Sequence, residues 1–135
     1  MAKVRFYLFE KSNERQVEST CRLCRKILGQ AGQVWLYSQD MAFLQQLDEQ
    51  LWTFDASSFL PHGIDQYDAA ICLSTQLPDD PARIVFNFES KALEQFENFS
   101  QIIEIVENNE PAKQVGREKY KHYRRMGVEP QTFKL

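Results

Sequence analysis

The amino-acid sequence predicts a single three-layer α/β domain, in which a mostly parallel sheet is flanked by helices. Two observations lead to this prediction, the order of the predicted elements and the composition. Runs typical of strands alternate with segments of helical periodicity, and parallel strands are joined by helical crossovers. The chain has 135 residues and a hydrophobic content of 43%. These values suit one domain with a packed core, so we assign residues 1–135 to a single domain.

Two strand–helix pairs are predicted in the first half of the chain. The β-branched and aromatic runs 4–9 and 33–38 are the strands. Each is followed by apolar residues at helical spacing, with Asn13 and Asp40 as the N-caps. The inward faces comprise Val17, Cys21, Cys24 and Leu28 in the first helix, and Phe43, Leu44, Leu47 and Leu51 in the second.

The second half is predicted to contain two strands followed by two helices. The strands are 68–74 and 83–88, with a proline-flanked turn between them. A third helix is expected from apolar spacing, and a fourth begins near Pro111, which suits a first helical turn. The residues that predict the third helix are Leu93, Phe96, Phe99, Ile103 and Val106.

The predicted C-terminal helix carries a row of cations. At 100° per residue its four basic positions fall within roughly 80° of one another. They are Lys113, Arg117, Lys121 and Arg124. A second group is expected to dock on the domain, and consists of Val115, His122, Tyr123 and Met126. The helix should therefore turn its cations outward.

This basic helix belongs to an otherwise acidic chain. Residues 1–108 hold nine Lys/Arg and sixteen Asp/Glu, whereas residues 109–135 hold seven and three, and the whole chain has a net charge of −3. Such asymmetry indicates a local anionic partner, and it argues against general nucleic-acid binding.

The sequence gives little evidence for a phosphate-binding, metal or redox site. The turn after the first predicted strand, 10–14, lacks the glycines of a nucleotide-binding loop. Cys21 and Cys24 form a CxxC pattern, but they lie mid-helix on the apolar face, which favours core packing. A second CxxC would be needed for a zinc site. We therefore expect neither a cofactor nor a metal, and structural roles for His62 and His122.

The expected location is the cytoplasm. No apolar run approaches the ~18 residues of a membrane span. The start of the chain, Met1-Ala2-Lys3-Val4-Arg5-Phe6, lacks the shape of a signal peptide. Three cysteines do not make a disulfide framework, and reduced thiols fit that compartment.

The loop 54–63 leaves two interpretations open. Phe59 and Leu60 are apolar in a segment otherwise built like a surface loop. They either fold back onto the core or form an exposed patch for a protein partner. Trp52, at the end of the second predicted helix, carries the same ambiguity.

Over essentially its whole length the chain resembles the chi subunits of bacterial DNA polymerase III, which are accessory proteins of the clamp-loader assembly. The matching segments are Phe6-Tyr7-Leu8, Leu51-Trp52, Ser58-Phe59-Leu60-Pro61-His62 and the block 113–124. The segment 63–68 and the turn near Pro78 look shorter than in the best-known members, which affects the placement of loops.

The resemblance implies an α/β fold resembling a nucleotide-binding fold that serves as a non-catalytic adaptor and meets DNA only indirectly. Family members bind the psi subunit and the acidic C-terminal tail of single-stranded-DNA-binding protein, which ends in proline and phenylalanine. The tail-binding residues carried over are Lys113, Arg117, Tyr120, Lys121 and Arg124, with Val106 and Trp52 beside them. The surface for partners such as psi maps onto Phe59, Leu60 and Pro61.

The chemistry of these side chains agrees with such a ligand. A guanidinium offers a carboxylate two parallel hydrogen bonds, which an ammonium cannot. We therefore assign Arg117 to the terminal carboxylate of the tail, and Lys113 and Lys121 to its aspartates. Val106 and part of Tyr120 would line the pocket for the last ring.

Two other functions remain as alternatives. Six Lys/Arg within 113–125, interleaved with Tyr120 and Tyr123, would also suit direct binding of single-stranded nucleic acid, although the acidic balance opposes it. A small α/β enzyme rests on the strand–helix alternation alone, which says nothing about function.

Overall fold

A computed structural model of the chain describes residues 3–9, 16–28, 33–53, 61–79 and 83–134. The strands are β1 (Lys3–Leu8), β2 (Val34–Tyr37), β3 (His62–Ile64), β4 (Ile71–Ser74), β5 (Ile84–Asn87), β6 (Gln101–Val106) and β7 (Gln131–Lys134). The helices are α1 (Gln16–Leu28), α2 (Met41–Thr53) and α3 (Glu110–Arg125). A short 3-10 helix lies at Phe96–Asn98.

All seven strands join one parallel sheet in the order β3-β4-β2-β5-β6-β1-β7. The predicted three-layer α/β class is thereby confirmed. The central strands β2, β4 and β5 are buried along their whole length, as strands covered on both faces must be.

The two faces of the sheet carry different layers. Helices α1 and α2 pack on one face, where their apolar side chains meet Leu36, Phe86 and Ile103. Helix α3 packs on the other face, where Tyr123 joins Phe6 and other buried residues of the strands. The alternation of side chains along each strand separates the two cores.

The predicted start of α2 is confirmed in detail. Asp40 Oδ1 accepts hydrogen bonds from the backbone N–H groups of Ala42 (3.1 Å) and Phe43 (3.3 Å). An N-cap of this kind satisfies donors that have no partner within the helix. Asn13, the predicted N-cap of α1, lies outside the described residues.

The predicted third helix is wrong. Its first part is the short 3-10 helix at Phe96–Asn98, and its second part is strand β6. The spacing of Phe99, Ile103 and Val106 fits a helix, but these residues are only part of the apolar run. The full segment 101–106 is rich in β-branched residues and buried at five of its six positions, which is typical of a central parallel strand.

Two strands were also not predicted. β3 has three residues and begins at His62, inside the predicted loop 54–63. β7 follows α3 and lies exposed at the edge of the sheet, parallel to β1. Neither presents the apolar alternation by which half-buried strands are recognised.

The three cysteines are buried free thiols. Burial raises the pKa of Cys21 to about 12 and that of Cys72 to about 11, and it raises the pKa of Cys24 well above its ordinary value. These positions agree with the core-packing interpretation of the CxxC pattern.

We expect all three thiols to resist labelling in the native protein. At pH 8 a thiol with a pKa of about 12 is ionised to roughly one part in ten thousand. An aromatic disulfide reagent should therefore release almost no thiolate until denaturant is added, and three equivalents afterwards. Rapid labelling of Cys21 or Cys24 in native buffer would contradict their core position.

Candidate peptide-binding site

Helix α3 is well defined at both ends. At its start, Asn109 is the N-cap, and its side chain accepts a hydrogen bond from Ala112 N at 2.8 Å. Pro111 occupies the first turn, as the sequence predicted. At its end, Gly127 adopts a φ of 93°, which suits glycine after a helix, and its N–H donates to Arg124 O at 3.0 Å.

A buried polar network fixes α3 to the sheet. Glu104 projects from β6, and its carboxyl accepts three hydrogen bonds: from Lys119 Nζ (2.7 Å), Tyr123 Oη (2.7 Å) and Asn87 Nδ2 (2.8 Å). Tyr123 Oη in turn accepts from Leu93 N at 3.1 Å. All three groups around Glu104 donate, so the ionised carboxylate satisfies each of them.

The burial of this network changes the acidities of its members. Burial raises the pKa of the Glu104 carboxyl, while the Lys119 ammonium acts in the opposite direction. Burial and then the neighbouring carboxylate raise the pKa of Tyr123 well above that of an exposed phenol. Tyr123 therefore stays a neutral hydroxyl that donates to Glu104.

The network corrects one residue of the predicted docking face of α3 and adds another. The buried positions of the helix are Gly116, Lys119 and Tyr123. Val115, which was expected to dock on the domain, is 38% exposed. Tyr123 is buried and Met126 packs against the same core, as predicted. Lys119 joins this docking face, because its buried ionic partner allows a lysine in a place usually held by an apolar residue.

Gly116 lets α3 approach β6 closely. A Cβ atom at this position would lie 2.9 Å from Val106 Cγ2 and 3.4 Å from Cγ1. Because Val106 is β-branched and buried in the strand, it has little freedom to turn away. The glycine therefore sets the spacing between helix and sheet.

This contact predicts that the effect of Gly116→Ala on the unfolding free energy changes sign when the Val106 side chain is removed. Gly116→Ala should lower the unfolding free energy, because overpacking costs about 1–3 kcal/mol and exceeds the gain of about 1 kcal/mol in helix propensity. In a Val106→Ala background the same substitution should stabilise the protein relative to that background. Urea unfolding of the four proteins measures both effects, and a stabilising Gly116→Ala in the parent would refute the close contact.

Beside Gly116 lies a pocket of about 190 Å³, between α3 and the carboxyl ends of β1 and β6. Ligands of parallel α/β proteins commonly bind at this edge of the sheet. Its lining residues are Phe6, Leu8, Phe9, Val106, Glu107, Lys113, Gly116, Arg117, Tyr120 and Thr132. We call it the α3 pocket. A cavity of about 150 Å³ holds a benzene molecule in another protein, so one aromatic ring fits here.

Apolar and basic groups occupy different parts of the α3 pocket. Phe6, Leu8 and Val106 form its floor on the sheet, and the Phe6 ring meets Tyr120 edge-on with centroids 5.5 Å apart. Lys113 and Arg117 stand on the helix one turn apart at its rim. The pocket thus offers an apolar cavity beside two cations.

Arg117 is held by neighbours on its own helix. Its Nη2 donates to Gln114 Oε1 at 2.9 Å and lies 3.9 Å from Glu110 Oε2. The side chain remains more than half exposed. Because the ion pair is long and solvated, it competes only weakly with an incoming anion.

Sequence comparisons identify the family. A sequence model described as DNA polymerase III chi subunit, HolC, matches residues 1–131. The chain belongs to this family. It is 30% identical over 139 residues to the DNA polymerase III subunit chi of Pseudomonas aeruginosa, with 100% of this chain and 98% of that protein covered.

A second chi subunit, from Haemophilus influenzae, is 28% identical over 135 residues, with 94% of each chain covered. The resemblance noted from the sequence is therefore confirmed. As a chi-family protein, the chain has an accessory role in DNA replication as a subunit of DNA polymerase III.

The outer cations of this chi-family chain lie beyond the pocket. Lys121 and Arg124 are exposed on α3, at 3.8 Å from Glu118 and from Glu129 respectively. Neither lines the α3 pocket. Both belong to the same outward row as Arg117, so a ligand longer than the pocket would pass them.

Trp52 lies elsewhere. It is 59% exposed at the end of α2, on the face of the sheet opposite to α3, and its ring meets His62 edge-on at 5.0 Å. It does not line the α3 pocket. Pro61 is exposed immediately before β3, whereas Phe59 and Leu60 lie outside the described residues.

The two histidines have local partners. His62 is buried, and its Nε2 lies 3.1 Å from Asp48 O and 3.3 Å from Asp48 Oδ1. His122 Nε2 lies 3.9 Å from Glu94 Oε1. Within the described ranges, no three His, Cys, Asp or Glu side chains are grouped to hold a metal, and no helix is long and apolar enough to cross a membrane.

Sequence reasoning missed several contributors to the site. Phe6 and Leu8 were predicted as part of a strand and of a matching segment but not as site residues, and Thr132 was not singled out. Lys119 was counted among the surface cations, although it is buried against Glu104. An acidic residue inside the apolar run 101–106 was the available signal, since a buried carboxylate requires a partner.

Proposed function

We propose that this chi-family chain is a non-catalytic cytoplasmic adaptor, which binds the psi subunit of the clamp loader and the acidic C-terminal tail of single-stranded-DNA-binding protein. The α3 pocket carries the tail-binding part of the proposal. Four of the residues carried over from the family line this one cavity: Val106, Lys113, Arg117 and Tyr120. Support comes from their arrangement, with cations on one side and apolar groups below.

The tail would enter with its last ring in the pocket. The ring packs on Phe6 and Val106 at the floor, beside Tyr120. The terminal carboxylate then lies at the rim, where Arg117 can donate two parallel hydrogen bonds to it. Such geometry selects a free C-terminus, because an amide or a continuing chain lacks the second anionic oxygen.

The acidic residues before the ring would meet the exposed row of α3. Lys113 stands at the rim, and Lys121 and Arg124 continue the row along the helix. Their present partners, Glu118 and Glu129, are 3.8 Å away and solvated. Replacing these partners by an aspartate of the tail therefore loses little free energy. These contacts should increase the association rate and the salt dependence of binding more than they increase the affinity.

The psi-binding part of the proposal concerns another surface. We assign it to the segment containing Phe59, Leu60 and Pro61. Trp52 also belongs with this surface in the proposal, because it packs beside His62 near Pro61 and lies on the far face from the α3 pocket. Psi and the tail would therefore bind at the same time.

Titration of the protein with a peptide of the tail tests the function. We expect saturable binding that weakens as salt is raised, because exposed charge pairs are screened beyond about 8 Å at physiological ionic strength. Isothermal titration calorimetry at several salt concentrations measures both properties. Absence of binding, or affinity independent of salt, would contradict the proposed site.

Bare single-stranded DNA serves as the discriminating ligand in the same titration. Of the six basic residues of α3, Lys119 is buried in the Glu104 pair, and the Tyr123 ring is fully buried. Fewer cations and aromatic faces therefore remain for phosphates and bases than the sequence suggested. Tight binding of bare DNA that displaces the peptide would favour the nucleic-acid alternative.

A further inference from the structure

A groove of about 350 Å³ runs along α3 on the side opposite to the α3 pocket. It lies between the first turns of the helix and the segment 88–90, at the carboxyl ends of β5 and β6. Val115 lines this groove and Lys113 lines the pocket. At 100° per residue these two positions are roughly 160° apart on the helix. The lining residues that both sites share are Val106, Glu107 and Gly116.

Carboxylates dominate the charge of this groove. Glu89, Glu104 and Glu107 line it together with one cation, Lys119. Because Lys119 and Glu104 compensate each other at 2.7 Å, the lining residues carry an excess of two negative charges. Glu89 Oε2 accepts a hydrogen bond from Gln39 N at 3.2 Å, and within the described part of the chain no basic side chain pairs with this carboxylate. We call the site the acidic groove.

The start of α3 gives an anion little to bind at this groove. The N–H groups of Ala112 and Lys113 both donate to Asn109, at 2.8 Å from its side chain and 3.0 Å from its carbonyl oxygen. Pro111 has no N–H group. The donors that attract anions to the start of a helix are therefore largely used, and the carboxylates determine which ligand the groove prefers.

Apolar surface lies beside these carboxylates. Val115 is 38% exposed, although valine is usually buried, and Pro111, one turn before it, is also exposed. Ala112 and Val106 continue the apolar lining towards the sheet. The acidic groove thus combines an open apolar strip with negative charge, whereas the α3 pocket combines an apolar cavity with positive charge.

We propose that the acidic groove binds a segment of another protein in which an arginine stands beside an aliphatic side chain. The guanidinium pairs with the Glu89 carboxylate, to which it can donate two parallel hydrogen bonds, and the aliphatic side chain packs on Val115. Charge complementarity selects this partner, because the excess carboxylates repel an acidic peptide or a nucleic acid. As a subunit of DNA polymerase III the chain assembles with other polypeptides, and this proposal does not depend on binding of the tail.

A short peptide of alternating leucine and arginine, blocked at both ends, is the probe. It carries both features, and it has no free carboxylate to enter the α3 pocket. One matched control replaces the arginines by glutamates, and another replaces the leucines by alanines. Each peptide is titrated into ¹⁵N-labelled protein, and ¹H–¹⁵N spectra report the backbone amides of Glu89 and Val115 in the groove.

We expect the leucine–arginine peptide to shift the amide signals of Glu89 and Val115 in a saturable way. The glutamate control should not bind, and the alanine control should bind more weakly. Glu89→Gln should weaken the probe roughly twofold to fivefold, because it removes one exposed ion pair but keeps an acceptor for Gln39 N. Val115→Ser should also weaken it, because the aliphatic side chain loses its contact.

Glu118→Gln is the matched control variant. Glu118 is an exposed carboxylate on the same helix but does not line the groove, so its loss should leave the affinity unchanged. Urea unfolding checks that each variant keeps the fold.

The proposal fails if the probe leaves the Glu89 and Val115 signals in place up to about 10 mM, or if the glutamate control binds equally well. It also fails if Glu89→Gln binds as the parent does, or if Glu118→Gln weakens the probe as much as Glu89→Gln. Shifts of the same signals on dilution of the protein alone would overturn it too, since the groove would then hold a second copy of the chain.

Discussion

Arg117→Ala should weaken binding of the tail peptide roughly tenfold to a hundredfold, the range expected for a lost charge-assisted hydrogen-bond pair. The guanidinium stands at the rim of the α3 pocket and is held by Gln114. Because the side chain is more than half exposed, the unfolding free energy should change by no more than about 0.5 kcal/mol. Calorimetric titration and urea unfolding measure the two quantities.

A double-mutant cycle makes this prediction specific to the terminal carboxylate. The peptide is prepared with a free C-terminus and with a C-terminal amide, and each form is titrated into the parent protein and into Arg117→Ala. Amidation should weaken binding to the parent strongly, but by no more than about twofold in the variant. Equal penalties in both proteins would mean that Arg117 contacts another part of the tail.

Arg124→Ala is the matched control on the same helix. Its side chain is similarly exposed and also has a long ion pair, with Glu129, but it does not line the pocket. Its loss should reduce affinity only modestly and should reduce the salt dependence. An Arg124→Ala effect as large as that of Arg117→Ala would point to a general charge attraction with no pocket contact.

Lys119→Met should have the largest effect on stability. Removing one member of a buried ion pair costs about 3–5 kcal/mol, because the other charge is left without compensation. Here the Glu104 carboxylate would lose its 2.7 Å bond to Nζ while fully buried. This loss is a large fraction of the stability of an ordinary domain. Urea unfolding followed by circular dichroism measures it.

Lys121→Met provides the comparison for the buried pair. The Lys121–Glu118 pair is exposed and 3.8 Å long, so its loss should cost no more than about 1 kcal/mol. The double variant Glu104→Gln/Lys119→Met should be less destabilised than the sum of its single variants, because the two groups interact directly. Additive losses would show that the pair does not act as a unit.

The sequence predicted the elements whose signal is local. Strands β1 and β2 and helices α1 and α2 appeared where periodicity placed them, and Asp40 caps α2 as predicted. β6 was mistaken for a helix because its apolar positions also fit a spacing of three to four, and only its β-branched composition distinguishes the two. β7 is exposed along its length, so its pairing with β1 left no hydrophobic pattern to detect.

In the candidate site, too, residues that are neighbours in sequence could be predicted together, whereas residues from distant strands could not. Lys113, Arg117 and Tyr120 are neighbours on one helix, so their proximity follows from helical spacing alone. Phe6 and Thr132 reach the pocket through parallel pairings between strands far apart in sequence. Lys119 escaped detection because lysine is among the residues least often buried, and only the Glu104 carboxylate beneath it makes that position favourable.

The most direct test of the α3 pocket is the position of the last ring of the tail. With the peptide bound to isotope-labelled protein, we expect intermolecular nuclear Overhauser effects between the protons of the terminal phenylalanine ring and the methyl groups of Val106. Contacts to Tyr120 should accompany them. A bound peptide whose ring instead shows its contacts at Trp52 and His62, on the far face of the sheet, would contradict the proposed site.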